Sequence, residues 1–366
     1  MKIWVTGTRG IPRIMGGVET HCSNLLPRLV SRGYSITVGC RKPYMNYNGK
    51  SYHGVALKVF KPVRHPGLEA ISHTLLCVLA ARLDNAVAVH IHAIGPALAV
   101  PLARLLGLKV IVTHHGFDYE REKWGKFARL MLRAGEYMAL RYASHIIAVS
   151  PYIADTLSRR QCQRADIHFL PNGILRPSTR VKTQKTGNPY IFAAGRFVKE
   201  KGFHTLIEAY LRSGIQKRGI ELIIAGDADT PTDYSRNLFL RGAAANVTMP
   251  GKISGIQMDR LMAGASLFLL PSTHEGLPIV LLEAMSHSLP VIVSDIPANH
   301  LPELPDNVFF QTGNIDELAL KLKSFFNTPG PQKIHYDLSR YDWEHIADST
   351  AEIYDSILND KLLAEL

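Results

Sequence analysis

Short apolar runs alternate along this chain with stretches whose apolar positions recur every three or four residues. The runs KIWVTG (2–7), YSITVGC (34–40), VALKVF (55–60), AVAVHIH (86–92), KVIVTHH (109–115), SHIIAVS (144–150) and IHFLPN (167–172) predict strands. Between several of them, stretches such as VETHCSNLLPRLVSRG and PALAVPLARLLG predict amphipathic helices. Strand–helix–strand alternation of this kind predicts a parallel sheet covered on both faces. The polar segment RPSTRVKTQKTGNP (176–189) then reads as a linker. After it the pattern restarts with YIFAAG (190–195), ELIIAG (221–226), NVTMPG (246–251), LFLLPS (267–272), PVIVSD (290–295) and NVFFQT (307–312). The expectation is an α/β protein of two Rossmann-like domains, 1–175 and 190–342. Ligands of open parallel sheets gather beyond the C-terminal strand ends, so two such sheets facing one another are expected to bound a cleft. A final helix over about 343–366 carries Trp343, Ile346, Ile353 and Ile357 on one stripe and can pack on either domain.

Composition narrows the class. The chain has 366 residues, 46% of them hydrophobic, which suits two soluble domains. The apolar run at the N-terminus is too short for a signal peptide, and the most apolar stretch, ISHTLLCVLAARLDNAVAVHIHAI, is broken by Arg82 and Asp84, so no membrane span is expected. Cys22, Cys40, Cys77 and Cys162 lack metal-ligand spacing and read as free thiols of a cytoplasmic protein.

Charge changes the picture more. Residues 1–180 hold 25 Lys and Arg against 9 Asp and Glu, whereas residues 181–366 hold 17 against 22. The positive excess therefore sits on one half and suggests an anionic partner: a bilayer leaflet, a phosphorylated lipid or nucleic acid. The densest basic segment is REKWGKFARLMLRAGEYMALR (121–141). Trp124, Phe127, Met131 and Met138 alternate there with Lys123, Lys126, Arg129 and Arg133. It reads either as an amphipathic helix on a membrane surface or as a core-packing helix with a solvated basic face. The chain has no basic-aromatic module of the usual nucleic-acid-binding kinds, and no nucleic acid partner is expected.

The first strand runs into a glycine-containing loop with Gly7, Gly10, Gly16 and Gly17. Its spacing is wrong for a dinucleotide fingerprint, because Arg9 stands where the second glycine is needed, and no acid ends the second strand. Gly16-Gly17 directly precedes a helix expected to begin at Val18 or Glu19. It can let bare backbone approach an anion, or it can be a tight turn that needs two glycines.

The stretch HEGLPIVLLE (274–283) places Glu275 and Glu283 eight positions apart around Gly276-Leu277-Pro278. Pro278 suits the first turn of a helix, where its missing N–H is not needed. A loop should therefore end near Leu277 and a helix run on through IVLLEAMSHS. The amides of Leu277, Ile279 and Val280 would be unpaired and could dock a diphosphate. Glu283 would lie roughly 7.5 Å further along the axis, about the distance from a nucleotide's diphosphate to its ribose. A carboxylate only accepts hydrogen bonds, which suits a sugar diol. Glu275, on the loop, would face the transferred sugar. The cations such a site needs are available in GRFVKEKG (195–202): Arg196 and Lys201 follow a strand and can chelate or neutralise phosphate. Without the glutamates they would read as ordinary surface cations.

GRFVKEKG, AGD at 225–227, PSTHEGLPIVLLEAMSHSLPVIVSD and LPNG resemble the retaining GT-B glycosyltransferases of family 4. GTRGIPRIMGGVET, HHGFDYEREKWGKFARLMLRAGE and IIAVS resemble the rhamnosyltransferase-type N-terminal domain of bacterial surface-polysaccharide enzymes in that family. The resemblance spans almost the whole chain. It implies a GT-B fold in which the C-terminal helix packs back on the N-terminal domain. It implies that Arg196 and Lys201 neutralise the donor diphosphate, that Glu275 with Gly276 holds the donor sugar, and that Glu283 holds the ribose. Gly16 and Gly17 correspond to the loop that approaches the phosphates. His115, rather than its neighbour His114, corresponds to the active-site histidine, and strand alternation points the two apart. The nucleobase is expected near Gly251, Lys252 and Ile253.

The activity implied is transfer of a hexosyl or deoxyhexosyl unit from an NDP-sugar, such as a UDP-sugar, to a lipid-linked saccharide at the inner face of the cytoplasmic membrane. The product would be O-antigen, lipopolysaccharide, capsule or exopolysaccharide. Alternatives are a rhamnosyltransferase using dTDP-rhamnose and a GT-B-fold nucleotide-sugar epimerase. No cofactor or metal is expected. Asp227-Ala228-Asp229 resembles a metal-binding Asp-x-Asp, but Arg196 and Lys201 would supply the positive charge. The pairs His90/His92 and His114/His115 lack the spacing of a zinc site.

Overall fold

A computed structural model of the protein describes residues 1–65, 67–122, 124–175, 187–253, 255–328 and 333–365, with the side chains of 358–365 excepted. Residues 176–186 of the expected linker, Lys123 and Leu366 lie outside the described residues. The chain divides into two compact units: unit 1 comprises Met1–Gly173 and Arg340–Leu366, and unit 2 comprises Ile174–Ser339.

Unit 1 contains β1 (Lys2–Thr6), α1 (Gly17–Ser31), β2 (Ser35–Arg41), β3 (Ser51–Tyr52), β4 (Val55–Phe60), α2 (Glu69–Leu83), β5 (Ala88–His92), α3 (Val100–Leu105), β6 (Lys109–His114), α4 (Lys126–Tyr142), β7 (His145–Ala148), α5 (Pro151–Ser158) and β8 (Asp166–Phe169). Among the described residues these strands form one sheet in the order β3-β4-β2-β1-β5-β6-β7-β8, parallel except for the short β3. The hairpin strand β3 is too short to leave a periodic signal in the sequence. The strand order runs in opposite directions on the two sides of the β1/β5 pair. Right-handed crossovers therefore put α1 on one face and α3 and α4 on the other. Gly7 ends β1 at this reversal. A Cβ there would lie 2.0 Å from the His92 carbonyl oxygen, so only glycine lets the first loop leave beside β5.

Unit 2 contains β9 (Tyr190–Ala194), α6 (Phe203–Ser213), β10 (Glu221–Ala225), α7 (Asp233–Ala244), α8 (Ile256–Gly264), β11 (Leu267–Leu270), α9 (Ile279–Ser286), β12 (Val291–Ser294), β13 (Phe309–Phe310) and α10 (Ile315–Asn327). Its parallel sheet has the order β10-β9-β11-β12-β13, with the reversal between β9 and β11. The segment 246–251, expected as a strand, contributes only an isolated bridge between Ile223 and Thr248. Asn246 takes a positive φ of 52° and Met249 is followed by Pro250, so the run cannot extend its pairing.

The chain returns to unit 1 through α11 (Trp343–Glu365). Trp343, Ile346, Tyr354 and Ile357 are fully or almost fully buried in one cluster with Ile3, Leu25, Leu29 and Val38. Arg28 of α1 and Arg32, which caps its C-terminus, bond Glu344 and Asp348 respectively at 2.7 Å each, and the Tyr34 hydroxyl donates to Asp355 at 2.6 Å.

The basic segment forms α4, and its exposed stripe is apolar. Phe127, Leu130 and Met131 face solvent at spacings of three and four, Tyr137 faces solvent seven residues after Leu130, and Lys126 and Arg133 are also exposed. Gly135, Glu136, Ala139 and Leu140 face inward instead. Met138 is half-buried rather than part of the outer stripe. No helix of the described residues is long and apolar enough to cross a membrane.

Candidate active site

In unit 2 the candidate residues gather at the β9/β11 reversal, the place where an open α/β sheet leaves a crevice for a ligand. The loop after β9 carries Arg196 and Lys201, and the loop after β11 carries Glu275 and Gly276. Three contacts join the two loops. Gly202 takes φ 68° against Pro271, whose carbonyl oxygen would lie 2.0 Å from any Cβ there. The Thr273 amide donates to the Glu200 carbonyl at 2.8 Å. The Lys201 Nζ then meets Glu275 Oε1 at 2.5 Å, with both side chains largely shielded from water. A glycine was needed for the close approach, and the ion pair is its result.

Arg196 is half-buried, and its Nη1 lies 3.5 Å from Asp229 Oδ2. Asp227 accepts from the Ala228 amide at 2.8 Å. The two aspartates of the Asp-x-Asp segment thus have separate tasks, one facing a guanidinium and one stapling the turn. Among the described residues no group of three or more His, Cys, Asp or Glu is placed to hold a metal ion.

Helix α9 has Pro278 as its N-cap, in extended conformation with φ −74° and no side-chain cap. The cap thus falls on the proline, and the helix interior begins at Ile279. The first amides to bond back are those of Leu281 and Leu282, both to the Pro278 carbonyl. The amides of Ile279 and Val280 precede them at the positive end of the helix dipole. Leu277 lies before the cap with its side chain buried.

One turn beyond this start, the half-buried Glu283 carboxyl makes no hydrogen bond or ion pair among the described residues. Desolvation, reinforced by the negative charge of Asp259, raises its pKa from 4.5 to about 7. A half-buried carboxyl without a partner is costly to the free protein, and such groups cluster at functional sites. Lys252 is exposed and Ile253 half-buried just after Gly251, whose carbonyl accepts from the Gly226 amide at 2.9 Å beside the end of β10.

Gly16, Gly17 and His115 belong to unit 1. Gly16 caps α1, which begins at Gly17, a residue or two before its expected start. A Cβ on Gly16 would lie 2.0 Å from Glu19 Oε2 and 2.6 Å from Arg9 Nη2. A Cβ on Gly17 would meet nothing within 4 Å. The first glycine is therefore required by the fold, and the second is not. Sequence reasoning missed what holds this loop. The largely buried Glu19 accepts from the Arg9 amide at 3.0 Å and pairs with the Arg9 guanidinium at 3.2 Å.

His115 is half-buried at the end of β6, and its Nε2 lies 2.9 Å from His92 Nδ1. His114 points away into the unit, where Nε2 meets Glu136 Oε2 at 3.3 Å. His115 also meets the edge of the His21 ring, 5.2 Å between centroids, and His92 stacks on His90 at 4.4 Å. Four histidines thus meet beside the first loop. Burial, with mutual repulsion, holds His92 and His115 well below the usual imidazole range. Burial lowers His21 to about 4 and His90 to about 3. These shifts favour the neutral form of the cluster, in which His115 and His92 share a hydrogen bond. The H-x-H and H-H pairs are visible in the sequence, but the contribution of His21 from α1 is not.

Two parallel-sheet Rossmann-like units are the architecture of the GT-B fold. Residues 15–174 match the family described as Glycosyltransferase Family 4, and residues 176–341 match Glycosyl transferases group 1. Together these matches span most of the chain, which accordingly carries the two domains of a glycosyltransferase. An uncharacterized glycosyltransferase of Methanocaldococcus jannaschii is 24% identical over 97% of this chain and 98% of its own length. A GDP-mannose:cellobiosyl-diphosphopolyprenol alpha-mannosyltransferase of Komagataeibacter xylinus is 26% identical, over 75% of this chain and 72% of that protein. Among solved structures, the sucrose-phosphate synthase of Thermosynechococcus elongatus superposes with a TM-score of 0.81 at 18% identity, covering 98% of this chain and 99% of that one. HepE of Anabaena in complex with UDP-glucose gives 0.77 at 20% identity, covering 97% and 100%.

Proposed function

We propose that the protein is a retaining glycosyltransferase that moves a hexosyl or deoxyhexosyl unit from an NDP-sugar to a lipid-linked saccharide in bacterial surface-polysaccharide synthesis. The observation that carries the donor site is Glu283, a half-buried carboxyl without a partner, one turn beyond an uncapped helix start. A ribose diol donating to Glu283 would relieve its isolation, while the diphosphate meets the Ile279 and Val280 amides, Arg196 and Lys201. Departure of the nucleoside diphosphate concentrates negative charge on that phosphate. Preorganised donors aimed there are worth a few kcal/mol each, about a hundredfold or more in rate. Glu275 would exchange its bond to Lys201 for hydroxyls of the sugar. His115, neutral, would donate to or accept from the sugar and orient it. Arg196 and Lys201 supply the charge compensation that a metal would otherwise give, and metal independence belongs to the proposal.

The acceptor reading is supported by the excess positive charge of the N-terminal half and by the apolar stripe of α4 edged by Lys126 and Arg133. Such a helix suits the surface of an anionic bilayer. A diphosphopolyprenol acceptor also stands in the name of the Komagataeibacter relative. A panel of UDP-, dTDP- and GDP-sugars scored by thermal shift tests the donor site, since ligand bound to the folded state raises the melting point. The expected result is a shift with one base that disappears in Glu283→Ala. Labelled sugar should then pass from that donor to an organic-extractable product in membranes. Donor isomerisation without transfer would replace this reading by an epimerase.

A further inference from the structure

At the C-terminal ends of β2 and β4, Lys42, Lys61 and Arg64 line a cavity of about 250 Å³ together with Pro43 and Pro62. The side chains of these three cations form no hydrogen bond or ion pair among the described residues. Glu69, the first residue of α2, is already taken: it pairs with Arg41 at 3.2 Å and accepts from Tyr44 at 3.4 Å. A single unpaired lysine on a surface is ordinary. Three cations around one concavity, without an acid in its lining, raise the local potential and can hold an anion from several sides.

The chemistry around the cavity narrows the ligand. Val59, Val63 and Leu68 are 47%, 53% and 50% exposed. In the sequence they lie within four residues of Lys61 or Arg64, outside the lining of the cavity. The volume falls below the roughly 300 Å³ at which drug-sized ligands begin to fit. It suits a phosphate headgroup rather than a saccharide. An anionic head beside hydrocarbon is the chemistry of a lipid phosphate.

We propose that this cavity binds the diphosphate of a lipid-linked acceptor, with Val59, Val63 and Leu68 against the first part of its hydrocarbon. The inference rests on the acceptor reading given above and adds its binding site. The cavity and His115 lie at the same edge of the unit 1 sheet, since both follow C-terminal strand ends. From β2 to β6 there are three strand intervals, about 14 Å. That leaves room along the edge for a short saccharide between the diphosphate and the hydroxyl that is glycosylated.

Co-sedimentation of the full chain with phosphatidylcholine vesicles tests this. One set carries a polyprenyl diphosphate, and a second carries phosphatidylglycerol at equal charge. The wild type is expected to bind the first at least tenfold more tightly, with inorganic pyrophosphate competing. Lys42→Ala/Lys61→Ala/Arg64→Ala should lose that preference, while Lys126→Ala/Arg133→Ala, which also removes positive charge, should keep it. Lys61→Gln alone should give a partial loss. Equal binding to the two vesicle sets, or equal losses in the two variants, would overturn the assignment and leave a nonspecific bilayer contact. Donor hydrolysis without acceptor is measured alongside. If it persists while the preference is absent, this site is wrong and the donor site stands; if no nucleotide sugar is bound or hydrolysed, the transferase reading itself fails.

Discussion

Lys201 Nζ and Glu275 Oε1 lie 2.5 Å apart, although 74 positions separate them in the chain. The pair joins the loops after two neighbouring strands, and the function proposed above gives its two members different tasks toward a nucleotide sugar. Each shields the other's charge in the free protein. Lys201→Ala leaves Glu275 shielded from water without its cation, and Glu275→Ala does the reverse. Each variant is expected to lose at least about a hundredfold in kcat/KM. The double variant should be little worse than either single one, because interacting residues are not additive. Steady-state rates from a double-mutant cycle with the preferred donor provide the check, and full additivity would dissolve the link.

In the donor site proposed above, Glu283 would make donor binding depend on pH. Its folded pKa is raised to about 7, and hydroxyls donating to it favour the ionised form. Nucleotide affinity should therefore fall as pH drops below about 7, by up to tenfold between pH 7 and pH 6, and Glu283→Gln should flatten that profile. The same shift costs the free fold stability. For a raised carboxyl the unfolded state loses its proton first, so stability falls as pH rises from about 4.5 toward 7. Over that window the loss amounts to ~3 kcal/mol. Glu283→Gln should accordingly raise the melting point at pH 8 while removing the pH dependence of the nucleotide-induced shift.

The two glycines at the start of α1 should respond in opposite ways. Gly16→Ala pushes a methyl into the Arg9–Glu19 pair and is expected to cost ~1–3 kcal/mol. Gly17→Ala meets nothing and improves a helix position, so stability should hold or rise by up to ~1 kcal/mol. Donor turnover should nevertheless fall if the bare backbone there approaches the substrate. Denaturant unfolding and kinetics on the same two proteins read both effects.

Below pH 6.5 the histidine cluster should loosen unit 1. His21 and His90 have folded values of about 4 and about 3 against 6.5 as ordinary imidazoles. Their contribution is intact above 6.5 and declines as pH falls toward the folded values, because the unfolded state takes up the proton first. Each group adds a slope of ~1.4 kcal/mol per pH unit in that window. Trp4, Trp124 and Trp343 are the protein's three tryptophans and all belong to unit 1. Their fluorescence in urea titrations at pH 7.5, 6 and 5 follows this unit. His90→Gln should reduce the slope by about the contribution of one group.

What the sequence discloses depends on the range of the interaction. Strand alternation, the split into two sheets and the helix after Pro278 are local, so periodicity and one proline are enough to place them. Glu275 and Glu283 fall on loop and helix as their spacing implies. The partners are another matter. That Lys201 would meet Glu275, that Arg9 would anchor Glu19, and that His21 would join His92 and His115 depends on which strands lie side by side. The NVTMPG run shows the opposite failure, with apolar composition but a positive φ at Asn246 that limits it to a single bridge. In α4 the sequence shows cations and apolar residues without showing which side is buried. The helix turns Phe127, Leu130 and Met131 outward because Gly135 and Glu136 face the interior.

The return of α11 to unit 1 sets an order of events during synthesis. Residues 1–173 leave the ribosome first, yet Ile3, Leu25 and Val38 obtain their cover from Trp343, Ile346 and Tyr354 only after all of unit 2 has been translated. The first unit completes its core only once α11 has been made, while unit 2, uninterrupted in sequence, is free to mature before it.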